Sequence, residues 1–471
     1  MAQHDKPVPR GRIRRTMPLA GFAARAAGGR LIAGLRERTG DDSAVERFHG
    51  RTAERYTELL GHSKGVLMKA GQILSMVDAR ALGTGGYWPY QKALARLQAD
   101  APPMHPTLVH KVLDEELGSA VRYFAEFSDE PMAAASIGQV HRAVLHDGHQ
   151  VAVKIQYPGA AEAIRDDLAN TELLATFFRF AFSASGTVMP DLRQATREIA
   201  DRISEEIDYR HEAANITAFS ELYRDHPFIR VPEVIDEASG DRVLTMTYLD
   251  GLDWAAAQDA DQELKNTWTE VIHRFCIGSA RHANLAHADP HAGNYRFGVD
   301  GQVGFLDFGC VSVLPECSRR RWVRIFRAAI EGRKQNLRDL MAEAGYFAGD
   351  SSLTADECYQ WMAEFVYEWL APQPVTYTHD ASHRAIHNLI DVRSPEHPGR
   401  RMSVPDGFAL FPRVTLGLAA ICAALGGTIH ARAITDDMDG VAEPITELGK
   451  LHQAWVRERG LPSGLDHHDH P

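Results

Sequence analysis

The sequence lacks the features that mark a secreted, disordered or fibrous protein. Its five cysteines include no C-x-x-C pair and leave one over, which argues against a disulfide framework or a zinc site and favours reduced intracellular thiols. The hydrophobic fraction of 44% and the charged fraction of 24% exclude disorder and collagen-like repeats. A net charge of -12 argues against nucleic-acid binding by the whole chain.

Long uncharged hydrophobic runs are also missing. Residues 17–35 are apolar in part but contain Arg25 and Arg30, and a membrane-spanning helix needs about 20 nearly uncharged residues. Residues 414–429 are apolar but short. The sequence therefore predicts no transmembrane helix, and it predicts that residues 414–429 form a buried helix.

The N-terminal segment differs in charge from the rest of the chain. Residues 1–40 contain Lys6 and eight arginines against Asp5 and Glu37, without the pattern of a convincing signal peptide. We expect this segment to be partly disordered, and to be either a flexible or docked leader or a contact for an anionic membrane surface. We expect a cytoplasmic protein, with peripheral membrane contact as the alternative.

Periodicity and turn residues divide the chain into segments. Helical patterns fill the early part and include a helix at 106–117. Strand-like patterns follow at 121–127, 137–145 and 150–156, and one long helix at 190–223 precedes two more strands at 231–236 and 242–249. Helical patterns dominate after Gly251. This order predicts a helix-rich α+β fold with two lobes and a cleft between them. The expected segments are a basic N-terminal segment at 1–40, a helical extension at 41–120, an N-lobe at 121–250, a C-lobe at 251–458 and a His-rich tail at 459–471.

One segment carries the strongest chemical signal. Asp289 is followed five residues later by Asn294, and an apolar strand then leads to Asp307-Phe308-Gly309. Phosphoryl transfer from ATP needs Asp and Asn oxygens to hold Mg²⁺ and an Asp near the attacking hydroxyl. A metal-hydrolase site formed by His287, Asp289 and His291 is the competing interpretation, but it leaves Asn294 and Asp307 without a role.

A lysine in an apolar strand supports the ATP interpretation. Lys154 interrupts the strand of residues 150–156, and a buried lysine needs an anionic partner. A phosphate and a helix carboxylate would both satisfy it, as in protein kinases. The later segment 204–212 is dense in carboxylates, with Glu206 as the candidate partner.

Two further patterns are weaker in isolation. Where a protein kinase has a glycine-rich loop, this chain has Ala133, Ala134, Ala135 and Ser136, which predicts a stiffer loop over the phosphates. Upstream, Lys69 and Gln72 are three residues apart and share a helical face.

Taken together, these residues resemble the UbiB family of atypical protein-kinase-like proteins, the AarF-domain kinases. The resemblance runs from about residue 60 to 440, and its motif forms are closest to the branch of the mitochondrial coenzyme-Q kinases. The motifs are K-x-G-Q (Lys69 to Gln72), A-A-A-S (Ala133 to Ser136), the Lys154 strand, E-x-D (Glu206 and Asp208), H-A-D-P-H-x-G-N (His287 to Asn294) and D-F-G (Asp307 to Gly309).

The resemblance implies a role for each motif residue. Lys154 would contact the α- and β-phosphates of ATP and pair with Glu206, and Asp289 would be the acidic residue of the catalytic loop. Asn294 and Asp307 would bind Mg²⁺. The adenine-contacting hinge would be formed by Thr247, Tyr248, Leu249 and Asp250, and the loop over the nucleotide by Ala133, Ala134, Ala135 and Ser136. The K-x-G-Q helix would fold over the cleft, so that Lys69 and Gln72 face the active site and interact there with Glu206, Asp208 or Glu212.

The resemblance also implies a function. Family members show ATPase activity and support isoprenoid-quinone synthesis or lipid homeostasis, so ATP, Mg²⁺ and an isoprenoid or quinone-like small molecule are the expected partners, with no nucleic acid. We expect an atypical kinase or ATPase with a small or lipid-like acceptor, in preference to a protein acceptor, for which the helix of Lys69 and Gln72 would have to move aside. The alternative is an ATP-gated, chaperone-like regulatory protein that presents or extracts lipid precursors without phosphoryl transfer.

Overall fold

The computed structural model describes residues 103–134, 137–168, 204–205, 207–288, 290–390, 394, 396–403 and 410–462. These residues form a mixed helix and sheet structure, as the sequence predicted. The chain divides into two compact units. The first contains the described residues up to Arg210 together with Ile235–Met246, and the second contains His211–Val234 and the described residues from Thr247 onwards. The segment boundaries expected from the sequence remain predictions.

The first unit is built on a four-stranded sheet with the strand order β1-β2-β3-β5. The strands are β1 (Phe124–Ala134), β2 (Gly138–Leu145), β3 (Gln150–Gln156) and β5 (Val243–Thr247), and the helices are α1 (Pro106–Leu117) and α2 (Ala160–Leu168). β2 pairs antiparallel with both β1 and β3. In the turn that joins β2 and β3, the N–H of Gly148 donates to the carbonyl of Leu145 at 3.0 Å.

β2 and β3 approach each other so closely that only glycine fits at position 138. A Cβ atom added to Gly138 would lie 2.1 Å from the carbonyl oxygen of Ile155. In the same ladder, Val140 lies opposite Lys154. Gly138 therefore sets the register of the strand that carries the predicted phosphate-binding lysine.

Helix α1 covers one face of this sheet. Its buried residues Val109, Val112, Leu113 and Leu117 follow helical spacing, and they pack in one cluster with Val151, Val153 and Ile155 of β3. Gly118, with φ of 76°, ends the helix. The helix bounds agree with the Pro106–Leu117 helix that the sequence predicts.

Two strand predictions were wrong in their bounds. The strand predicted at 121–127 runs instead over Phe124–Ala134, and its pairing is irregular around Pro131, which an edge strand tolerates because it has one unpaired side. The strand predicted at 231–236 is replaced by β4 (Ile229–Arg230) and a short 3₁₀ turn at Asp236–Ala238. Pro232 lacks an N–H group and cannot continue a ladder.

The second unit is mostly helical and contains three small sheets among its described residues. Its helices are α3 (Tyr209–Leu222, which begins in the first unit), α4 (Trp254–Gln258), α5 (Gln262–Ala283), α6 (Glu316–Ile330), α7 (Lys334–Glu343), α8 (Ala355–Phe365), α9 (Tyr367–Leu370), α10 (His379–Ile390), α11 (Leu410–Leu425), α12 (Ala431–Met438) and α13 (Glu447–Arg459). Its strands are β4, β6 (Leu285–His287), β7 (Tyr295–Phe297), β8 (Val303–Phe305), β9 (Val311–Val313), β10 (Val375–Thr376) and β11 (Thr428–Ile429).

Helix α5 is the central element of this unit. It packs against α11, α12 and β6, and Arg274 on it is fully buried. The Arg274 guanidinium bonds to Glu270 at 2.8 Å and to both carboxylate oxygens of Asp437 at 3.0 and 2.8 Å. A buried charge of this kind is tolerated because every side of the guanidinium meets a partner.

The predicted buried helix at 414–429 is confirmed over most of its length. Helix α11 ends at Leu425, and the last two predicted residues, Thr428 and Ile429, form β11. Gly426, with φ of 68°, makes the break. Within the described ranges, the structure has no helix with the length and apolarity needed to span a bilayer.

A chain of three buried histidines anchors the C-terminal helix α13. Nδ1 of His226 accepts from the backbone N–H groups of residues 228–229, so Nε2 of His226 carries the proton and donates to Nδ1 of His452 at 3.0 Å. Nε2 of His452 then donates to Nε2 of His282 at 3.1 Å, and Nδ1 of His282 donates to the carbonyl of Pro462 at 2.6 Å. Every hydrogen bond in this chain can therefore form while all three imidazole rings are neutral.

Candidate active site

The two predicted metal ligands, Asn294 and Asp307, lie at neighbouring positions of one β-hairpin. β7 and β8 pair antiparallel, with Tyr295 opposite Phe305. The ladder continues for one more step, because the N–H of Leu306 donates to the carbonyl of Asn294 at 3.0 Å. Asp307 is the next residue, and both predicted ligands are half-buried.

Hydrogen bonds fix the turn that presents the Asp307 carboxylate. Nε2 of His287 donates to the carbonyl of Asp307 at 2.7 Å, and Nδ2 of Asn215 donates to the carbonyl of Phe308 at 2.9 Å. Oδ1 of Asp307 accepts from the N–H of Gly309 at 3.0 Å. Side chains from α3 and β6 thus hold two successive carbonyl groups of the D-F-G turn.

Aromatic rings pack behind the same turn. The fully buried ring of Phe308 lies 4.9 Å from the ring of Phe219 and 5.3 Å from that of His287, measured between centroids. Phe275 extends the cluster by stacking on Phe305 at 3.6 Å. Truncating such a core aromatic typically costs about 3–5 kcal/mol, so the cluster holds the turn rigidly.

Asp289 itself lies outside the described residues, but its neighbours are described. The N–H of Ala288 donates to the carbonyl of Cys310 at 2.9 Å. On the other side, Pro290 lies against α11 so closely that a Cβ on Gly417 would be 2.2 Å from its Cγ atom. Both residues that flank Asp289 are therefore fixed by contacts within the second unit.

Each of the two loop histidines of the metal-hydrolase interpretation has a structural contact through one ring nitrogen. Nε2 of His287 is bonded to the Asp307 carbonyl, and Nδ1 of His291 accepts from the N–H of Gly293 at 3.1 Å. These contacts fix the loop backbone on both sides of Asp289, which itself lies outside the described residues.

Lys154 lies in β3 with 9% of its surface exposed. Its Nζ atom is 5.3 Å from the centroid of the Tyr209 ring, a cation–π contact worth about 0.5–2 kcal/mol. Two residues further along the strand, Nε2 of Gln156 donates to the carbonyl of Ile207 at 2.9 Å. The strand of the lysine is therefore in direct contact with the E-x-D segment.

The E-x-D segment differs from the expected continuous helix. Glu206 lies outside the described residues, and residues 207–208 are not helical. Oδ1 of the exposed Asp208 accepts from the N–H of Arg210 at 2.9 Å, the contact of a helix N-cap, so α3 begins at Tyr209. Glu212 is 1% exposed in the first turn of α3.

Part of the predicted nucleotide loop belongs to a strand. Ala133 and Ala134 are exposed and end β1, where they pair with Val140 and Gln139. Ala135 and Ser136 lie outside the described residues, as do Lys69 and Gln72 of the K-x-G-Q motif.

The predicted hinge follows β5. Thr247 ends the strand, and its hydroxyl accepts from the N–H of Glu233 at 2.9 Å, while Asp250 is exposed and caps the N–H of Gly251 at 2.9 Å. Tyr248 and Leu249 between them are half-buried. The boundary between the two compact units falls just before Thr247.

The hairpin of Asn294 and Asp307 fits a hard divalent cation. It offers one carboxylate and one amide oxygen, the donor types that Mg²⁺ prefers, and the backbone that carries the carboxylate is held by His287 and Asn215. Outer contacts of this kind orient metal ligands in proteins.

Sequence reasoning missed the contacts of Asn215, Gln156 and Tyr209. Asn215 and Phe308 are 93 residues apart, and an asparagine inside a helical pattern gives no local signal of its tertiary partner. Gln156 stands at the end of a predicted strand, where a polar residue is unremarkable. No local pattern in the sequence indicates the tertiary partner of any of these three residues.

Comparison with known proteins finds a family model and curated relatives that match this chain. The model of the ABC1 atypical kinase-like domain matches residues 96–341. The chain is 28% identical over 442 residues to the atypical kinase COQ8, mitochondrial, of Saccharomyces cerevisiae, covering 90% of this chain and 84% of that protein. It is 32% identical over 340 residues to the atypical kinase COQ8B, mitochondrial, of Danio rerio, covering 70% of this chain and 53% of that protein.

A solved structure shares the fold. The complex of Rv3197 with erythromycin, from Mycobacterium tuberculosis, superposes with a TM-score of 0.59 at 30% identity, covering 87% of this chain and 100% of that one. The chain spans about half the length of the Danio rerio relative and 55% of a COQ8B relative from Rattus norvegicus.

Proposed function

Because this chain belongs to the ABC1 atypical kinase-like family, which is the UbiB family expected from its sequence, we propose that it binds Mg-ATP and either hydrolyses it or transfers its phosphoryl group. The single observation that carries this proposal is the β7–β8 hairpin, which places Asn294 and Asp307 at neighbouring positions on a turn held by His287. The relatives that match the chain include proteins named atypical kinases.

The proposed roles follow the motif residues. Asn294 and Asp307 would hold Mg²⁺, which neutralises the charge that develops on the phosphates. Lys154, buried in β3, would contact the α- and β-phosphates and pair with Glu206. Asp289 would accept the proton of the attacking hydroxyl or water. The hinge, the alanine-rich loop, and Lys69, Gln72, Asp208 and Glu212 keep the roles that the resemblance implies.

We propose a small-molecule or lipid-like acceptor. In protein kinases, a long activation segment follows the D-F-G motif and is a site of regulation. Here only residues 310–315 separate Gly309 from α6, and Val311–Val313 within them pair with β6. This short, paired connection leaves little chain for docking a peptide, which favours a smaller acceptor.

The pathway proposal rests on the resemblance and on the named relatives. The family resemblance implies support of isoprenoid-quinone synthesis or lipid homeostasis, and matching relatives are named COQ8 kinases. We propose the same role here, with a ubiquinone-type precursor as the acceptor class. Peripheral contact of residues 1–40 with an anionic membrane remains part of the proposal, because that segment is basic.

Hydrolysis of radiolabelled ATP by the purified chain tests this function. We expect Mg²⁺-dependent turnover that rises with anionic liposomes and is lost in Asp307→Asn. A labelled lipid-like product would identify a kinase. Turnover without a labelled product in the presence of phenolic precursors would instead favour the ATP-gated, chaperone-like alternative, and tight nucleotide binding without turnover would overturn the enzyme proposal.

A further inference from the structure

We propose that Asn215 is a positioning residue for the metal-binding carboxylate of Asp307. This inference rests on the proposed role of Asp307 as a Mg²⁺ ligand. It adds a residue that belongs to none of the sequence motifs and acts through the backbone of the D-F-G turn. The observations that carry it concern one peptide group, the one that joins Phe308 to Gly309.

That peptide group is held at both of its polar ends. Its carbonyl oxygen, on Phe308, accepts from Nδ2 of Asn215 at 2.9 Å. Its N–H, on Gly309, donates to Oδ1 of Asp307 at 3.0 Å. The carbonyl can only accept, so the nitrogen of the Asn215 amide must face it, and the orientation of this side chain is determined.

The orientation of this peptide decides where the carboxylate of Asp307 points. Glycine has no Cβ atom, so a rotation of the peptide next to Gly309 meets little steric resistance. Such a rotation would carry the Gly309 N–H away from Oδ1 of Asp307 and release the carboxylate from its present rotamer. Asn215 opposes the rotation by holding the other end of the same peptide.

Helix α3 contacts Phe308 through two of its side chains. Asn215 holds its carbonyl, and Phe219, one helical turn later on the same face, packs its ring 4.9 Å from the ring of Phe308. The apolar contact fixes the side chain and the polar contact fixes the peptide plane. Removing Asn215 would therefore leave Phe308 packed and free only the peptide that presents Asp307.

Substitution of Asn215 should lower the affinity for the metal ion while the protein remains folded. Substitutions of outer residues that orient metal ligands typically cost about 10–100-fold in metal affinity or activity. In Asn215→Ser the side chain is too short to reach the carbonyl. In Asn215→Asp, which keeps the shape, a carboxylate oxygen would face the Phe308 carbonyl oxygen, and two acceptors repel.

Retention of Mn²⁺ in the presence of a non-hydrolysable ATP analogue, followed by electron paramagnetic resonance, tests the inference without requiring turnover. The measurement compares the wild-type full chain with Asn215→Ser, Asn215→Asp and Thr217→Ala. Thr217 is the matched control, because it is exposed on the same helix and its hydroxyl donates only to the carbonyl of Ala213 at 2.9 Å. Melting temperatures are recorded with and without Mn²⁺.

We expect Mn²⁺ binding to weaken 10–100-fold in both Asn215 variants and to be unchanged in Thr217→Ala. The Mn²⁺-induced rise in melting temperature should shrink, while the metal-free melting temperature changes little. Wild-type affinity in the Asn215 variants, or a metal-free melting temperature lowered as much as the metal-bound one, would overturn this inference alone. A wild-type chain that retains no Mn²⁺ would overturn the proposed function together with it.

Discussion

His287 holds the backbone of Asp307: its Nε2 atom lies 2.7 Å from the Asp307 carbonyl oxygen, at the end of strand β6. The histidine ring also packs edge-on against Phe308 at 5.3 Å. One side chain thus fixes both the polar backbone and the apolar anchor of the turn. Only Ala288 lies between this histidine and Asp289, the predicted acidic residue of the catalytic loop.

Replacing His287 should weaken metal-dependent activity. His287→Ala leaves the half-buried Asp307 carbonyl without this donor, at a cost of about 1–3 kcal/mol, and frees the turn. We expect the Mg²⁺ concentration for half-maximal ATP turnover to rise about 10–100-fold. His149→Ala, on the exposed β2–β3 turn, is the control. An unchanged Mg²⁺ dependence in His287→Ala would show that the bond does not position Asp307.

Replacing Lys154 should lower nucleotide affinity more than stability. Lys154→Met keeps an unbranched chain of similar length in β3 and loses the charge that would meet the phosphates, together with the contact to Tyr209. We expect ATP binding, measured by calorimetry, to weaken at least tenfold, since an interaction with a charged group is worth about 1.5–3 kcal/mol. Lys111→Met removes an exposed lysine and should bind ATP normally. Equal ATP affinities in Lys154→Met and Lys111→Met would contradict the assignment of Lys154 to the ATP phosphates.

Substitution of Gly138 should destabilise the first unit. In Gly138→Ala, the new Cβ would lie 2.1 Å from the carbonyl of Ile155, so β2 and β3 must separate. Overpacking of this kind costs about 1–3 kcal/mol, which urea unfolding can measure. Gly349→Ala is the control, because open space surrounds that position. Equal unfolding midpoints for the two variants would contradict the close approach of the strands.

The second unit should lose stability in acid because of its buried histidines. Burial lowers the pKa of His226 to about 2 and that of His273 to about 3, and it holds the pKa of His452 well below its usual value. Arg230 and Arg274 add positive charge that acts in the same direction. In the unfolded chain these pKa values return to about 6.5, so unfolding takes up protons below that pH.

Stability is therefore full above about pH 6.5 and falls as the pH is lowered further. Three such groups give a loss of about 4 kcal/mol per pH unit well below pH 6.5. In urea unfolding at pH 7.5 and 5.5, His273→Gln should show a smaller loss than the wild type. His149→Gln is the control, because Asp147 raises the pKa of this exposed histidine. An identical pH dependence in the wild type and His273→Gln would contradict this account.

Local patterns predicted the elements whose residues interact mainly within one segment. The helix Pro106–Leu117 and the strand Gln150–Gln156 follow from apolar spacing and end at turn residues. The strand predicted at 231–236 was wrong because Pro232 has no N–H group to donate to a ladder. The bounds of β1 were missed because its irregular pairing around Pro131 depends on the neighbouring strand. Local signals alone cannot supply such information.

At the candidate site, the motif residues could be predicted from the sequence, but the residues that hold them in position could not. Asn294 and Asp307 follow from residue types at fixed spacing, and the hairpin explains that spacing, since a turn of residues 298–302 joins β7 to β8. Asn215 contacts the D-F-G turn across 93 residues of chain. Only the tertiary structure shows that a helix after the E-x-D motif holds the D-F-G turn.

Calorimetric titration of ATP into the full chain, with and without Mg²⁺, tests the central claim most directly. The account predicts that Mg²⁺ strengthens ATP binding to the wild type, and that this gain is lost in both Asn294→Ala and Asp307→Asn while metal-free binding is retained. ATP affinity that does not depend on Mg²⁺, or a full Mg²⁺ effect in Asp307→Asn, would contradict the assignment of the β7–β8 hairpin as the metal site.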